Sequence, residues 1–198
     1  MEASAERVEG TDLGRVLAFT DGVLAIAITL LVLNLEIPDV ADGELRHKLV
    51  DLLPQLGAYF LSFAVVGRFW LVHHRVFATM RSFDANLIAL NLLYLALVVL
   101  VPFTTELLGE YGDHSLAVSI YAAVMGLAAT VNWLMVRYIM KRGHVRESER
   151  EQTKRYAERR WLETPAIFFL SIPVSVFSPL LAELMWISLL VVLRRLRR

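Results

Sequence analysis

The stretch RVLAFTDGVLAIAITLLVLNL, Arg15 to Leu35, is an apolar segment of about 20 residues, long enough to cross the hydrocarbon core of a bilayer as a helix. Its strongly polar interior groups are Thr20, Asp21 and Thr29. An unpaired carboxylate inside a membrane costs about 3 kcal/mol. We therefore expect Asp21 to pair with a group on another helix.

One face of this predicted helix carries bulky apolar side chains and a single hydroxyl. Its residues recur at spacings of three and four, which places them on one side of a helix. They are Ile26, Thr29, Leu30 and Leu33. Such a stripe commonly faces lipid or neighbouring helices, and a membrane-helix threonine commonly bonds the carbonyl one turn back. The spacing alone leaves open whether this face lines a pore.

The composition predicts an all-helical, polytopic membrane protein. Of the 198 residues, 57% are hydrophobic, and they fall into long runs separated by short charged stretches. The absence of cysteine excludes disulfides, thiolate catalysis and cysteine metal sites. The N-terminal MEASAERVEG lacks the basic region of a signal peptide, so we expect the first apolar segment to be retained. Thr11 and Asp12 are the N-cap candidates for the helix that this segment forms.

Charge placement predicts six membrane helices with both termini in the cytoplasm. The basic turn after the second apolar run, the segment 141–160 and the C-terminal arginines belong inside, and the acidic loops belong outside. The last apolar region must then be a hairpin that turns near Ser178, with Trp161 and Trp186 as interfacial anchors. The predicted helices are about 13–35, 52–77, 85–108, 115–140, 161–178 and 180–195, with 141–160 as a charged cytoplasmic segment and the polar stretch after Leu35 as a loop.

The candidate partners of Asp21 are basic or amide side chains near the same membrane face. Arg15 precedes Asp21 by six residues, so the two side chains point to different faces of the helix. A structural network is a better explanation for Asp21 than direct ion coordination. The candidates on other segments are Arg68, His73, His74, Arg75 and Asn91.

No enzyme, metal or nucleic-acid motif is present in the sequence. His73 and His74 point about 100° apart on a helix and lack further ligands at suitable spacing, so no metal and no cofactor are expected. A nucleophile elbow, a Walker loop, HExxH and the potassium filter sequence TVGYG are all missing. Basic and acidic residues alternate over 141–160 without aromatic residues to stack on bases, which argues against nucleic-acid binding.

The first helix resembles the RxxxFSD signature of the transmembrane protein 175 family, the endolysosomal potassium channels and their bacterial homologues. Arg15, Phe19 and Asp21 match the signature, and Thr20 replaces the usual serine while keeping a hydroxyl. The segments WLVHHRVF and LIALNLLYLALVVLVPFTTELLGEY also look like the family's second and third helices. A single signature in 198 residues resembles the bacterial form, which has one six-helix repeat per chain.

This resemblance implies a homotetramer whose first helices line a central pore. Counting from the motif aspartate, the apolar constriction would fall on Ile26, Leu30 and Leu33. Thr29 would take the position of a pore threonine linked to selectivity. A polar network near the cytoplasmic end would hold the first helix against its neighbours. Its members would be Arg15, Asp21, Trp70 and His74, beside the motif residues Phe19 and Thr20 and with Asn91 as a candidate partner.

We therefore expect a potassium-permeable channel of the bacterial inner membrane, with a hydrophobic gate and modest selectivity for potassium over sodium. Caesium and rubidium are further candidate permeant ions, and membrane lipid is the other expected partner. One alternative is a proton-coupled cation transporter that uses Asp21 with His73 or His74. Another is a non-conducting scaffold that assembles through a face of small residues, namely Ala122, Gly126 and Thr130.

Overall fold

The chain folds as a bundle of helices. The structure, a computed structural model, describes residues 2–35, 45–151, 153 and 162–193. Over this part of the chain the only strand-like feature is one isolated β-bridge, which confirms the all-helical prediction. The helices are α1 (Glu2–Leu30, continued by a 3-10 turn Leu31–Asn34), α2 (Leu45–Asp51), α3 (Leu53–Phe77), α4 (Ala85–Val99), α5 (Val101–Tyr111), α6 (Ser115–Arg142), a 3-10 turn (Glu147–Glu149), α7 (Glu163–Phe177) and α8 (Pro179–Leu193).

Four stretches of the described chain are long and apolar enough to cross a membrane. They are Leu13–Asn34, Leu53–Phe77, Ala85–Tyr111 and Ser115–Arg142. Two further apolar helices, Glu163–Phe177 and Pro179–Ser188, are shorter. The chain therefore has the character of a multi-pass membrane protein, while the count of six spanning helices stays a prediction.

Two predicted boundaries near the N-terminal part of the chain are wrong. Helix α1 already begins at Glu2, so Thr11 and Asp12 lie inside it and do not cap its start. Glutamate, alanine and arginine in this stretch have high helix propensity, which outweighs the capping tendency of the two later residues. The polar stretch after Leu35 is not a loop throughout, because its last seven residues form the exposed helix α2.

The third predicted helix, 85–108, is divided in two by Pro102. Proline lacks the N–H that would bond the carbonyl of Val98, and its ring crowds that carbonyl. The backbone N–H of Leu100 instead bonds the carbonyls of Leu97 and Val98, and α4 ends there. Helix α5 starts at Val101, with the proline in its first turn, where a missing N–H is tolerated.

The last apolar region consists of α7 and α8, which meet at Ser178. Trp186 on α8 is fully buried, so its predicted role as an interfacial anchor is wrong. Its ring lies 4.8 Å from that of Tyr121 and 5.7 Å from that of Phe168, and its indole N–H donates to Ser171 Oγ at 2.8 Å. Because α8 folds back onto α6 and α7, position 186 faces the bundle interior. Trp161 lies outside the described residues.

The small-residue face of α6 packs against α7 within the same chain. A methyl group at Gly126 would lie 3.0 Å from the ring of Phe169, so only glycine allows this approach without movement. Ala122 is fully buried on the same face, and the hydroxyl of Thr130 donates to the Gly126 carbonyl at 2.7 Å. This face is therefore used for packing inside the chain.

The end of α6 is tied to the turn between α3 and α4. Gly143 ends α6 in the left-handed region, with φ of 72°, which favours glycine. Beyond it, Met80 and Val145 form the isolated bridge, and the backbone N–H of Arg81 donates to the His144 carbonyl at 2.8 Å. Of the charged segment 141–160, residues 152 and 154–160 lie outside the described part of the chain.

Candidate functional site

Helix α1 has one face buried in the bundle and an opposite face that is exposed. Thr20, Leu24, Ala27 and Leu31 are all at most 2% exposed, and their spacings of four, three and four define a helical face. The predicted stripe lies away from this face. Ile26, Leu30 and Leu33 are 60%, 39% and 70% exposed, and Thr29 and Phe19 are exposed beside them.

The hydroxyl of Thr29 bonds its own helix. Its Oγ1 donates to the carbonyl of Ile26 at 2.9 Å, which is the backbone bond expected for a threonine in a membrane helix. Because the donor is used in this bond, the lone pairs of the hydroxyl oxygen are left for the exposed side. The oxygen can therefore act as an acceptor towards a cation.

Asp21 is held by a tryptophan of α3. The indole N–H of Trp70 donates to Asp21 Oδ1 at 2.9 Å, and both side chains are partly buried. The ring of His74 stacks on that of Trp70 with centroids 5.2 Å apart. Arg15 is exposed, one and a half turns before Asp21. The structure thus brings Asp21, Trp70 and His74 together and leaves Arg15 and Phe19 at the exposed side of α1.

A second, fully buried chain of hydrogen bonds joins α1, α4 and α3. Asn91 Nδ2 donates to Thr20 Oγ1 at 2.8 Å, and Asn91 Oδ1 lies 3.0 Å from His73 Nε2. With the amide in this orientation, Nε2 of His73 must carry the proton and donate it. The ring of His73 also stacks between Phe77 and Tyr94, at 3.8 and 5.6 Å. Asn91 therefore bonds the residue next to Asp21 rather than Asp21 itself.

The far end of α1 is fixed by a contact that sequence reasoning missed. Asn34 Nδ2 donates to the carbonyl of Pro102 at 2.7 Å, at the junction of α4 and α5. The sequence signal available for this contact is the amide side chain of Asn34, which ends an otherwise apolar run. Arg68, predicted as a candidate partner of Asp21, is buried, and its Nη2 donates to Thr164 Oγ1 of α7 at 3.1 Å.

The two adjacent histidines of α3, His73 and His74, have different surroundings. Within the described residues, no group of three or more histidine, aspartate or glutamate side chains is placed to hold a metal ion. His73 is enclosed by two aromatic rings, and His74 is exposed and stacked on Trp70. What the site offers is an exposed apolar stripe on a helix that is anchored by polar contacts at both ends.

Comparisons with known proteins agree with this architecture. A family model described as endosomal/lysosomal potassium channel TMEM175 matches residues 15–102. A protein named potassium channel from Streptomyces collinus is 40% identical over 138 residues. The match covers 67% of this chain and 66% of that protein, just under two thirds of its length. Another protein named potassium channel, from a Chryseobacterium strain, is 32% identical over 171 residues, 85% of each chain.

The fold has also been observed in a relative. The crystal structure of a lysosomal potassium-selective channel TMEM175 homolog from Chamaesiphon minutus superposes with a TM-score of 0.80 and 31% identity, over 90% of this chain and 94% of that chain. The resemblance inferred from the RxxxFSD signature is confirmed. With matches of this extent in sequence and in fold, the chain belongs to the TMEM175 family, a family of ion channels and not of enzymes.

Proposed function

We propose that the chain forms a potassium-permeable cation channel of the bacterial inner membrane, in which four copies surround a pore lined by their first helices. The observation that carries the proposal is the exposed apolar stripe of α1. A contiguous apolar surface of this kind requires a covering, which can be lipid or other protein. The channel names of the relatives favour an arrangement in which the stripes of several copies face one another across a pore.

The gate is built from Ile26, Leu30 and Leu33. They follow one another by four and three residues, so in a symmetric tetramer they form three apolar rings about 5 Å apart along the axis. A narrow ring of this kind excludes water and so blocks ions without a physical plug. Opening requires the rings to widen, by tilt or rotation of α1, until water enters.

Selectivity for potassium over sodium is modest in this proposal. Without a cage of backbone carbonyls, the preference comes from the higher cost of dehydrating sodium. The Thr29 oxygen, whose proton is directed to the Ile26 carbonyl, adds an acceptor at the rings. Caesium and rubidium, which shed water more easily still, are expected to permeate as well.

The polar contacts act as positioning groups for the pore helix. Trp70 holds Asp21, with His74 stacked behind it, and Asn91 holds Thr20. Phe19 and Arg15 complete this region as the exposed members of the signature. The distribution of basic residues supports an orientation in which this end of α1 and both termini lie in the cytoplasm.

The two alternative functions find less support in the geometry. A proton relay from Asp21 would need a hydrogen bond to His73 or His74, but the donor to Asp21 is Trp70, and His73 bonds Asn91. A scaffold that assembles through Gly126 would need a face that α7 already covers. Both remain distinguishable by the following experiment.

The test is ion flux through the purified protein in liposomes, with potassium, sodium and caesium gradients. Wild type should give passive, potassium-favouring flux, and Ile26→Asn should wet the constriction and raise the flux several-fold. Leu127→Asn, an equally drastic change at an exposed position of α6, is the matched control and should leave flux unchanged. Equal flux in wild type and Ile26→Asn would contradict a constriction at Ile26. Flux only with a proton gradient would indicate a transporter, and no flux in any variant would indicate a scaffold.

A further inference from the structure

A groove of about 760 Å³ lies between α3, α5 and α8, at the Ser178 end of the bundle and far from the Asp21 network. This volume is within the range of small-molecule sites. Its walls are largely apolar, and Phe60, Leu61, Leu184 and Ile187 are among the residues that line them. The rim is polar, with Asp113 and Ser178 in the two interhelical turns and Glu183 one turn further in.

Glu183 is the unusual member of this groove. It is the only charged residue of α8, an otherwise apolar helix, and it is half-buried. Its Oε1 lies close to the backbone of Gly112, where an added methyl group would come within 3.2 Å of it. No hydrogen bond or ion pair joins Glu183 to another residue of the described chain. An ionisable side chain in such a helix marks a functional site by default.

The electrostatic character of the groove is acidic. Two carboxylates, Glu183 and Asp113, stand at its polar end, and none of the residues that line it is basic. His114 lies 3.7 Å from Asp113 but outside the lining. The complementary ligand therefore carries a cation that can donate hydrogen bonds at the rim. From Glu183 to Ile187 the α8 wall extends about 6 Å further along the helix axis, so the first part of an apolar tail can lie against it below that cation.

We propose that this groove binds a phospholipid with an ethanolamine headgroup. The primary ammonium donates hydrogen bonds to Glu183 and Asp113, and one acyl chain lies along Phe60, Leu61 and Ile187. A choline headgroup is also cationic but has no N–H to donate, and a glycerol headgroup leaves the lipid anionic and is repelled by the carboxylates. A protein embedded in a bilayer is surrounded by this class of ligand, so binding needs no separate supply.

One position in the wall allows the groove to be closed without disturbing the fold. A Cβ atom added at Gly57 would meet no atom within 4 Å, and Gly57 lines the groove. A leucine there occupies the space proposed for the acyl chain. Leucine is also a better helix former than glycine, so Gly57→Leu should fold at least as well as the wild type.

The test is native mass spectrometry of the purified protein with equal amounts of ethanolamine, choline and glycerol phospholipids of the same acyl chains. We expect retention in the order ethanolamine, choline, glycerol. Glu183→Gln should lower ethanolamine-lipid retention about tenfold, as loss of a charge-assisted hydrogen bond does. Gly57→Leu should abolish the bound lipid. Glu110→Gln, an exposed carboxylate of α5 that does not line the groove, is the matched control and should retain lipid as the wild type does.

Retention of the glycerol lipid equal to that of the ethanolamine lipid would overturn the proposal, as would unchanged retention in Glu183→Gln and Gly57→Leu. A second copy of the chain is the competing occupant, and the absence of cysteine allows a direct check. A photoreactive maleimide on Gly57→Cys should crosslink to lipid. A crosslink between two chains would instead show that the groove is a contact between copies and would exclude the lipid.

Discussion

Helices α1 and α6 each contain a stretch long and apolar enough to cross a membrane, but these stretches are buried to very different extents. Of the most apolar part of Leu13–Asn34, only 22% is buried inside the chain, whereas the corresponding share for Ser115–Arg142 is 56%. Apolar character determines that a segment enters the membrane, but it does not determine whether that segment is covered by its own chain. The surface that α1 leaves uncovered is available to lipid or to other protein.

The two helices are also held by different forces. Helix α6 packs through close approach and large rings, as at Gly126 and at the Tyr121 and Trp186 pair. Helix α1 is held by side-chain hydrogen bonds at Thr20, Asp21 and Asn34. Because hydrogen bonds are directional, they fix the rotation of α1 about its axis, and this rotation determines which face is exposed.

If packing around α6 provides most of the stability and α1 serves conduction, the largest loss of stability should come from residues that pack against α6. We expect Trp186→Ala to lower the free energy of unfolding by about 3–5 kcal/mol, since it leaves a large cavity beside Tyr121 and Phe168. Denaturant unfolding in detergent measures this. Phe103→Ala, at an exposed position, is the control and should cost far less. A loss as small as that of the control would mean that the Trp186 cluster is not the core.

Breaking the buried contact of α1 should affect both properties. Asn91→Leu leaves the Thr20 hydroxyl and His73 Nε2 without their partner, which we expect to cost about 2 kcal/mol. It should also change the potassium conductance in liposomes, because α1 loses one of the three side-chain contacts that fix its rotation. Asn86→Leu, on the same helix, is the control, because it removes only an exposed hydrogen bond to the Tyr138 hydroxyl and no contact to α1. Normal conductance in a folded Asn91→Leu protein would argue against a positioning role for this contact.

A pair of glycine substitutions separates packing from helix propensity. Gly22→Ala meets no atom within 4 Å, so the gain in propensity, up to about 1 kcal/mol, should appear in full. Gly126→Ala has the same gain but pushes against the Phe169 ring at 3.0 Å. We expect the second variant to be less stable than the first by about 1 kcal/mol or more in parallel melts. Equal stabilities would mean that α7 yields to the added methyl group.

The smallest effect concerns the turn that ties α3 and α4 to α6. The Tyr138 hydroxyl, 2.6 Å from Asp84 Oδ2, and the Leu87 N–H, 2.9 Å from Oδ1, lower the pKa of Asp84, with a further contribution from His144. A lowered folded-state pKa contributes stability above the ordinary pKa of about 4, and this contribution is lost as the pH falls through the folded value.

Tyr138→Phe removes the largest cause of this shift. The wild type should therefore melt slightly higher than the variant at pH 7, and the difference should shrink as the pH falls below about 4 and through the lowered folded-state pKa of Asp84. Melting curves between about pH 7 and pH 3 measure it, with Asp84→Asn as the control whose own melting temperature should lack this pH dependence. A difference in melting temperature that grows towards acid pH would contradict a lowered pKa of Asp84.

The stripe and most helices could be predicted from the sequence because both depend on local periodicity. The resemblance to the family predicts Asp21 and Trp70 in one network, and in the structure the Trp70 indole N–H lies 2.9 Å from Asp21 Oδ1. Contacts between distant segments are harder to predict. Nothing near Asn34 in the sequence points to Pro102, and the burial of Trp186 depends on how α8 folds back. Helix α1 begins earlier than predicted because its first residues have high helix propensity, whereas the prediction relied on Thr11 and Asp12 as capping residues.

The two ends of the exposed stretch of α1 are fixed points, with Trp70 at Asp21 and Pro102 at Asn34, about 20 Å apart along the axis. A helix held at both ends can tilt or rotate locally only in the stretch between the two contacts. Motion should therefore be greatest near the middle, in the stretch from Ala25 to Leu30. Pairs of spin labels would show a constant distance between the clamps and a changing one from Ala25 to its copies. The proposed apolar rings would then widen in the middle of the pore, while the two ends of this stretch of α1 stay in place.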